Sequence, residues 1–125
     1  MASTNEELYA QEGLDVNAAL EFVGDLDLYR EILYDYYMAI DEKSKKIRGY
    51  IENNNIKEYT VEVHAIKSSS RMIGAMELGN EAERLEHCGH YGDWDTIKAD
   101  TEKLLEHMQN YKPIIEPHMV ESEDF

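Results

Sequence analysis

The stretch GDLDLYREILYDYYMAIDEKSKKIRGYIENNN, residues 24–55, decides the fold. Within it Tyr29, Ile32, Leu33, Tyr36, Tyr37, Ile40 and Ile47 recur at the three-and-four spacing of one helix face. Asp25 is placed to cap the start of that helix, and Asn53-Asn54-Asn55 favours a turn at its end. Lys43, Lys45, Lys46 and Arg48 fall in its C-terminal half, where cations suit the helix dipole, and read as solvated surface.

The pattern repeats outward from there. Upstream, Asp15 can cap a short helix whose Val16, Ala19, Leu20 and Val23 form one apolar face, ended by Gly24. Downstream, residues 56–73 read as helix up to Gly74, and Leu78, Ala82, Leu85 and Cys88 mark the next helix up to Gly89 and Gly92. Trp94, Ile97, Thr101, Leu104, Met108 and Tyr111 follow the alternation of a bundle seam behind a cap at Asp93. Pro113 and Pro117 should kink or stop that last helix. Four long helices on short turns can bury their stripes only against one another. The expectation is an all-α fold, an antiparallel up-down-up-down four-helix bundle with a short extra N-terminal helix. A single domain over 1–125 is expected, with its core at roughly 13–112, an N-terminal extension at 1–12 and a mobile acidic tail at 119–125.

Composition narrows the function. Against 12 basic residues stand 27 acidic ones, a net charge of −15, so the surface as a whole repels phosphate backbones and anionic lipid. Neither nucleic acid nor a membrane is an expected partner. No apolar run approaches the roughly 20 residues that cross a bilayer, and the lone Cys88 cannot form an internal disulfide. Residues 1–7 lack the basic and apolar regions of a secretion signal, so a cytoplasmic setting is expected.

One histidine stands apart. With His64 at zero on a helical wheel, Tyr59, Val63, Ile66, Ser70 and Ile73 fall at about 180° to 260°, which turns His64 away from the buried stripe and toward solvent. Lys67 at about −60°, Arg71 at about −20° and Ser68 at about +40° share its face, beside a weaker apolar arc of Val61, Met72 and Ala65 at about 60° to 100°. An exposed imidazole is a usable nucleophile near neutral pH, and flanking cations suit an incoming phosphate.

The run His64-Ala65-Ile66-Lys67-Ser68-Ser69-Ser70-Arg71-Met72-Ile73-Gly74-Ala75 resembles the signature of bacterial histidine-containing phosphotransfer (HPt) domains, His-x-x-Lys-Gly, then small residues, then Gly-Ala or Gly-Leu. Ala82-Glu83-Arg84-Leu85-Glu86 is similar to the Ala-x-x-Leu-Glu stretch on the family's following helix, and Gly13-Leu14-Asp15 and Gly24-Asp25 with Leu28-Tyr29 to its entry helix and long helix. Coverage is roughly residues 13–112. Ser68 departs from the pattern, standing where glycine is usual; its hydroxymethyl group could crowd a partner or donate to phosphate.

The resemblance implies a phosphoryl carrier of multi-step phosphorelays, without a nucleotide site and not an enzyme in its own right. A phosphoaspartate of a response-regulator receiver domain would load His64, with Lys67 steadying the phosphate and Ser68 and Arg71 in secondary roles. A second receiver would then take the group. No cofactor is expected on this chain, since Mg²⁺ would arrive with the receiver. Receiver domains and a hybrid histidine kinase are the candidate partners of a monomer, and Val61, Ala65 and Met72 the candidate docking residues.

A surface histidine without its motif is ordinarily idle, and glycines 74, 79, 89 and 92 read as helix punctuation rather than a phosphate loop. His87, Cys88 and His90 have poor metal-ligand spacing, because Cys88 lies about 100° from His87 in the apolar rhythm, so no metal is expected. Two alternatives remain: the dimerising phosphoacceptor hairpin of a sensor kinase, which usually has an acid where Ala65 follows His64, and a non-catalytic helical interaction module.

Overall fold

The computed structural model describes residues 2–122, whose regular structure is all helical, with no strand among them. Seven helices follow in order: α1 (Asn5–Tyr9), α2 (Val16–Val23), α3 (Leu26–Glu52), α4 (Ile56–Met72), α5 (Met76–Tyr91), α6 (Trp94–Asn110) and α7 (Lys112–Ile115). Their starts are written in the sequence. The carboxylates of Asp15, Asp25 and Asp93 accept from the amides of Ala18, Asp27 and Thr96, and the Asn55 side chain accepts from the Glu58 amide, each satisfying a first-turn donor.

The stripes face inward as their spacing requires. Tyr29, Leu33, Ile40 and Ile47 of α3 meet Tyr59, Val63 and Ile66 of α4, Leu78, Ala82 and Leu85 of α5, and Ile97, Leu104 and Met108 of α6 in one core. α4 packs chiefly on α5, α5 on α6, and α3 on α4 and α6. Polar atoms inside this core are paired: Tyr59 donates to Thr101 Oγ1 at 2.7 Å, and Thr101 donates to the Ile97 carbonyl at 2.6 Å.

Helix α4, which carries His64, is tied down at its C-terminal end. The buried Tyr29 hydroxyl donates to the Ile73 carbonyl at 2.7 Å, and burial pushes its acidity far down, so it stays a donor. Next to it the Asp15 amide donates to the Gly74 carbonyl at 3.0 Å. Gly74 sits at φ 84, and any Cβ there would strike the Asp15 backbone, so only glycine fits the junction.

Three expectations need correction. The N-terminal extension is not apart from the core: two helices rather than one precede α3, and Leu8 of α1 is fully buried. α1 starts with a capping box between Thr4 and Glu7 and is only five residues long, too short for a periodic signal. Nor is the C-terminal segment loose as far as it is described. Met119 packs against the core, the Val120 amide donates to the Arg30 carbonyl at 3.1 Å, and the Ser122 hydroxyl donates to Asp35 at 2.8 Å; residues 123–125 lie outside the described part.

The third correction concerns glycines 79 and 89, which lie inside α5 instead of punctuating it. A Cβ on Gly89 would meet Thr60 Oγ1, and one on Gly79 would come within 2.7 Å of Arg71 Cγ. Both glycines let α5 approach α4 closely, and that approach places the site described next.

Candidate functional site

His64 stands on α4 with its side chain 56 % exposed, as the wheel requires. Val63 and Ile66 on either side are buried, so the helix is anchored by the face opposite the ring. Across the narrow α4–α5 seam, Glu86 reaches up from α5 with a side chain only 11 % exposed. Its Oε2 lies 2.6 Å from His64 Nδ1, and its Oε1 lies 2.7 Å from Lys67 Nζ.

Electrostatics fixes the roles of these atoms. Burial opposes charge on Glu86, yet the hydrogen bonds from Lys67 and His64 outweigh it and hold the carboxyl below its ordinary range. Glu86 is therefore a carboxylate near neutral pH and can only accept. His64 Nδ1 must then be the protonated nitrogen, which leaves the Nε2 lone pair of the neutral ring unoccupied and the ring open to solvent. A carboxylate behind an imidazole also stabilises positive charge that develops on the ring when Nε2 forms a bond.

The remaining predicted residues are distributed around this centre. Lys67 is largely covered, 18 % exposed, and paired with Glu86 one turn from His64. Arg71, the next turn along, donates to Asn80 Oδ1 at 3.1 Å and pairs closely with Glu83, which its hydrogen bond holds below the usual carboxylate range. Arg71 thus binds α4 to α5, on the same side as Lys67. Ser68 is exposed beside the ring, Val61 and Met72 are exposed apolar side chains, and Ala65 is half-buried between them. Beyond Met72 an apolar groove between α3 and α4 is lined by Ile32, Tyr36, Ala39, Ile66 and Ser69.

Glu86 lies within the Ala82–Glu86 run, where the sequence alone assigns it no task. Its signal was its position: Leu78, Ala82, Leu85 and Gly89 define the buried face of α5, and Glu86 falls on that face, an acid where an apolar residue is ordinary. His87 and Cys88 take no part in the constellation, and Cys88 is partly buried as its rhythm implies. Among the described residues no three His, Cys, Asp or Glu side chains are grouped to hold a metal ion, and no helix is long and apolar enough to cross a membrane.

The model of the protein family described as Hpt domain matches residues 31–111, from the first turns of α3 to the end of α6. No curated protein and no solved structure matches the chain significantly.

Proposed function

Because the chain belongs to the Hpt domain family, whose business is histidine phosphotransfer in phosphorelay signalling, we propose that His64 is its phosphoacceptor. In this reading Nε2 of His64 attacks the phosphorus of a receiver's aspartyl phosphate. The bond between phosphorus and the aspartate oxygen breaks, the carboxylate leaves, and the phosphorylated ring keeps its proton on Nδ1. Glu86 balances the resulting positive charge, while Lys67 can turn from Glu86 toward the phosphoryl oxygens. The reverse sequence delivers the group to the aspartate of a second receiver.

The observation that carries this reading is the pairing of a solvent-open ring with a nearly covered carboxylate at 2.6 Å. His107 is paired with Glu81 through Nδ1 as well, but there the ring is mostly covered and the acid is the more exposed partner, whereas His64 is an open ring backed by a covered acid. Phosphoryl transfer depends mainly on position and charge neutralisation, so a rigid helical platform is sufficient and a nucleotide site is not needed on the carrier. We assign the Mg²⁺ to the receiver, since Glu86 is already committed to His64 and Lys67.

The same reading takes α3 to α6 as an antiparallel up-down-up-down four-helix bundle in a monomeric, cytoplasmic carrier. Val61, Ala65, Ser68 and Met72 form the receiver's landing area around the ring, where small and apolar groups suit a transient contact. A hybrid histidine kinase is a candidate source of the phosphoryl group.

Incubation with a ³²P-labelled phospho-receiver and Mg²⁺ tests the proposal. Wild-type protein is expected to take up acid-labile label and His64→Gln none, with unchanged circular dichroism. Undiminished label in the variant would move the acceptor elsewhere.

A further inference from the structure

A second imidazole reaches the same carboxylate. His90 stands one turn after Glu86 on α5, and its Nε2 lies 3.7 Å from Glu86 Oε2, the oxygen that accepts from His64 Nδ1. Glu86 Oε1 is occupied by Lys67, so any demand His90 makes falls on the oxygen serving His64. The His90 side chain is 62 % exposed and makes no contribution to the core.

We propose that His90 is a positioning residue which sets, through Glu86, how firmly His64 is held ready to accept a phosphoryl group. This rests on His64 being the acceptor. When the His90 ring is neutral it exerts little pull, and Oε2 serves the Nδ1–H of His64 alone. When it carries a proton on both nitrogens it becomes a cation at ion-pair distance and draws Oε2 toward itself. The hydrogen bond that selects the Nδ1–H form of His64 then weakens, and the reactive Nε2 lone pair is presented less often.

Positive charge at position 90 should therefore slow acceptance by loosening the hold of Glu86 on His64. The charged group at ion-pair distance from His90 is Glu86 on its own helix, and Glu86 in turn meets His64 and Lys67 across the seam on α4. α6, on the other side of α5, directs Asp100 to Arg84 and His107 to Glu81 instead.

Two substitutions separate the charge of His90 from its bulk. His90→Arg carries a fixed charge, and His90→Ala none. At about pH 8, His90→Arg is expected to accept label about threefold more slowly than wild type, the scale of one exposed ion pair. At about pH 6 the order reverses for alanine: His90→Ala should be about threefold faster than wild type. Comparing variants at one pH removes the receiver's own pH dependence.

A readout without any receiver is available in the ¹⁵N spectrum of the His64 ring. At about pH 8 the arginine variant should show a smaller Nδ1–H fraction than wild type, and the alanine variant should not. Identical His64 spectra in wild type and His90→Arg would overturn the inference, as would variant rates that track wild type at both pH values. If wild type itself accepts no label, the acceptor assignment fails while the spectra still decide the coupling of His90 to His64.

Discussion

Two histidines in this chain occupy opposite electrostatic settings, and the contrast explains why only one is suited to chemistry. His64 is more than half exposed and donates through Nδ1 to a carboxylate, so positive charge on its ring is welcome and Nε2 is open. His118 is 3 % exposed at the other end of the sequence, with both nitrogens taken: Nε2 donates to Gln11 Oε1 at 2.8 Å, and Nδ1 is in close contact with the Ser3 hydroxyl. Beside it the buried Arg30 donates to Ser3 Oγ at 3.2 Å, to the His118 carbonyl at 3.0 Å and to Asn5 Oδ1 at 3.1 Å. Burial first, and then the Arg30 charge, push the His118 pKa below 6.5. A ring kept neutral and fully bonded holds the termini together; a ring backed by an anion can react.

Exchanging the losses gives the strongest test. His118→Ala should lower stability by about 2 kcal/mol in denaturant titration, because Ser3, Gln11 and Arg30 lose a shared buried partner. Label uptake by the folded fraction should stay within about twofold of wild type. His64→Gln should do the reverse, abolishing uptake at unchanged stability. A stability loss at His64 equal to that at His118 would erase the distinction.

Bringing α4 and α5 apart should damage the surroundings of His64 specifically. Gly89→Ala places a methyl group against Thr60 and is expected to cost about 2 kcal/mol, with slower label uptake even in the folded fraction. Unchanged uptake would mean that the seam does not position Glu86. A smaller effect is expected from Glu86→Gln, which keeps the shape but removes the charge behind His64: about tenfold slower acceptance with normal circular dichroism.

The smallest effect is in pH dependence. For His118 the unfolded chain binds a proton more readily than the folded one, so its contribution to stability is present above 6.5 and is lost as pH falls through the depressed folded value. Glu86 has the same sign in a separate window, its contribution falling away below 4.5. Urea titrations across about pH 5 to 7 should therefore show a stability slope that flattens in His118→Gln and persists in Glu86→Gln.

The parts of this molecule that were legible in advance are those governed by a single helix. Caps at Asp15, Asp25 and Asp93, the inward stripes of α3 and α6, and the outward turn of His64 all follow from a period of about 3.6 residues. What escaped notice depends on which helix faces which. Glu86 is one of 27 acids, and although the rhythm of α5 puts it on the buried face, only the approach of α5 to α4 brings it to His64 and Lys67. Glycines 79 and 89 resemble helix ends until the side chains opposite them are known. The terminal clasp converges on Arg30, a cation within an apolar stripe, whose partners Ser3 and His118 are separated by nearly the whole chain.

The Tyr29 hydroxyl on the Ile73 carbonyl and the Gly74 junction with Asp15 mean that the helix carrying His64 arrives at any encounter already immobilised. A visiting domain has no loop to order and little entropy to surrender beyond its own docking. Recognition can therefore be fleeting without being imprecise. For a courier of the kind proposed, which would release each partner before meeting the next, stiffness at the end of α4 makes brevity compatible with accuracy.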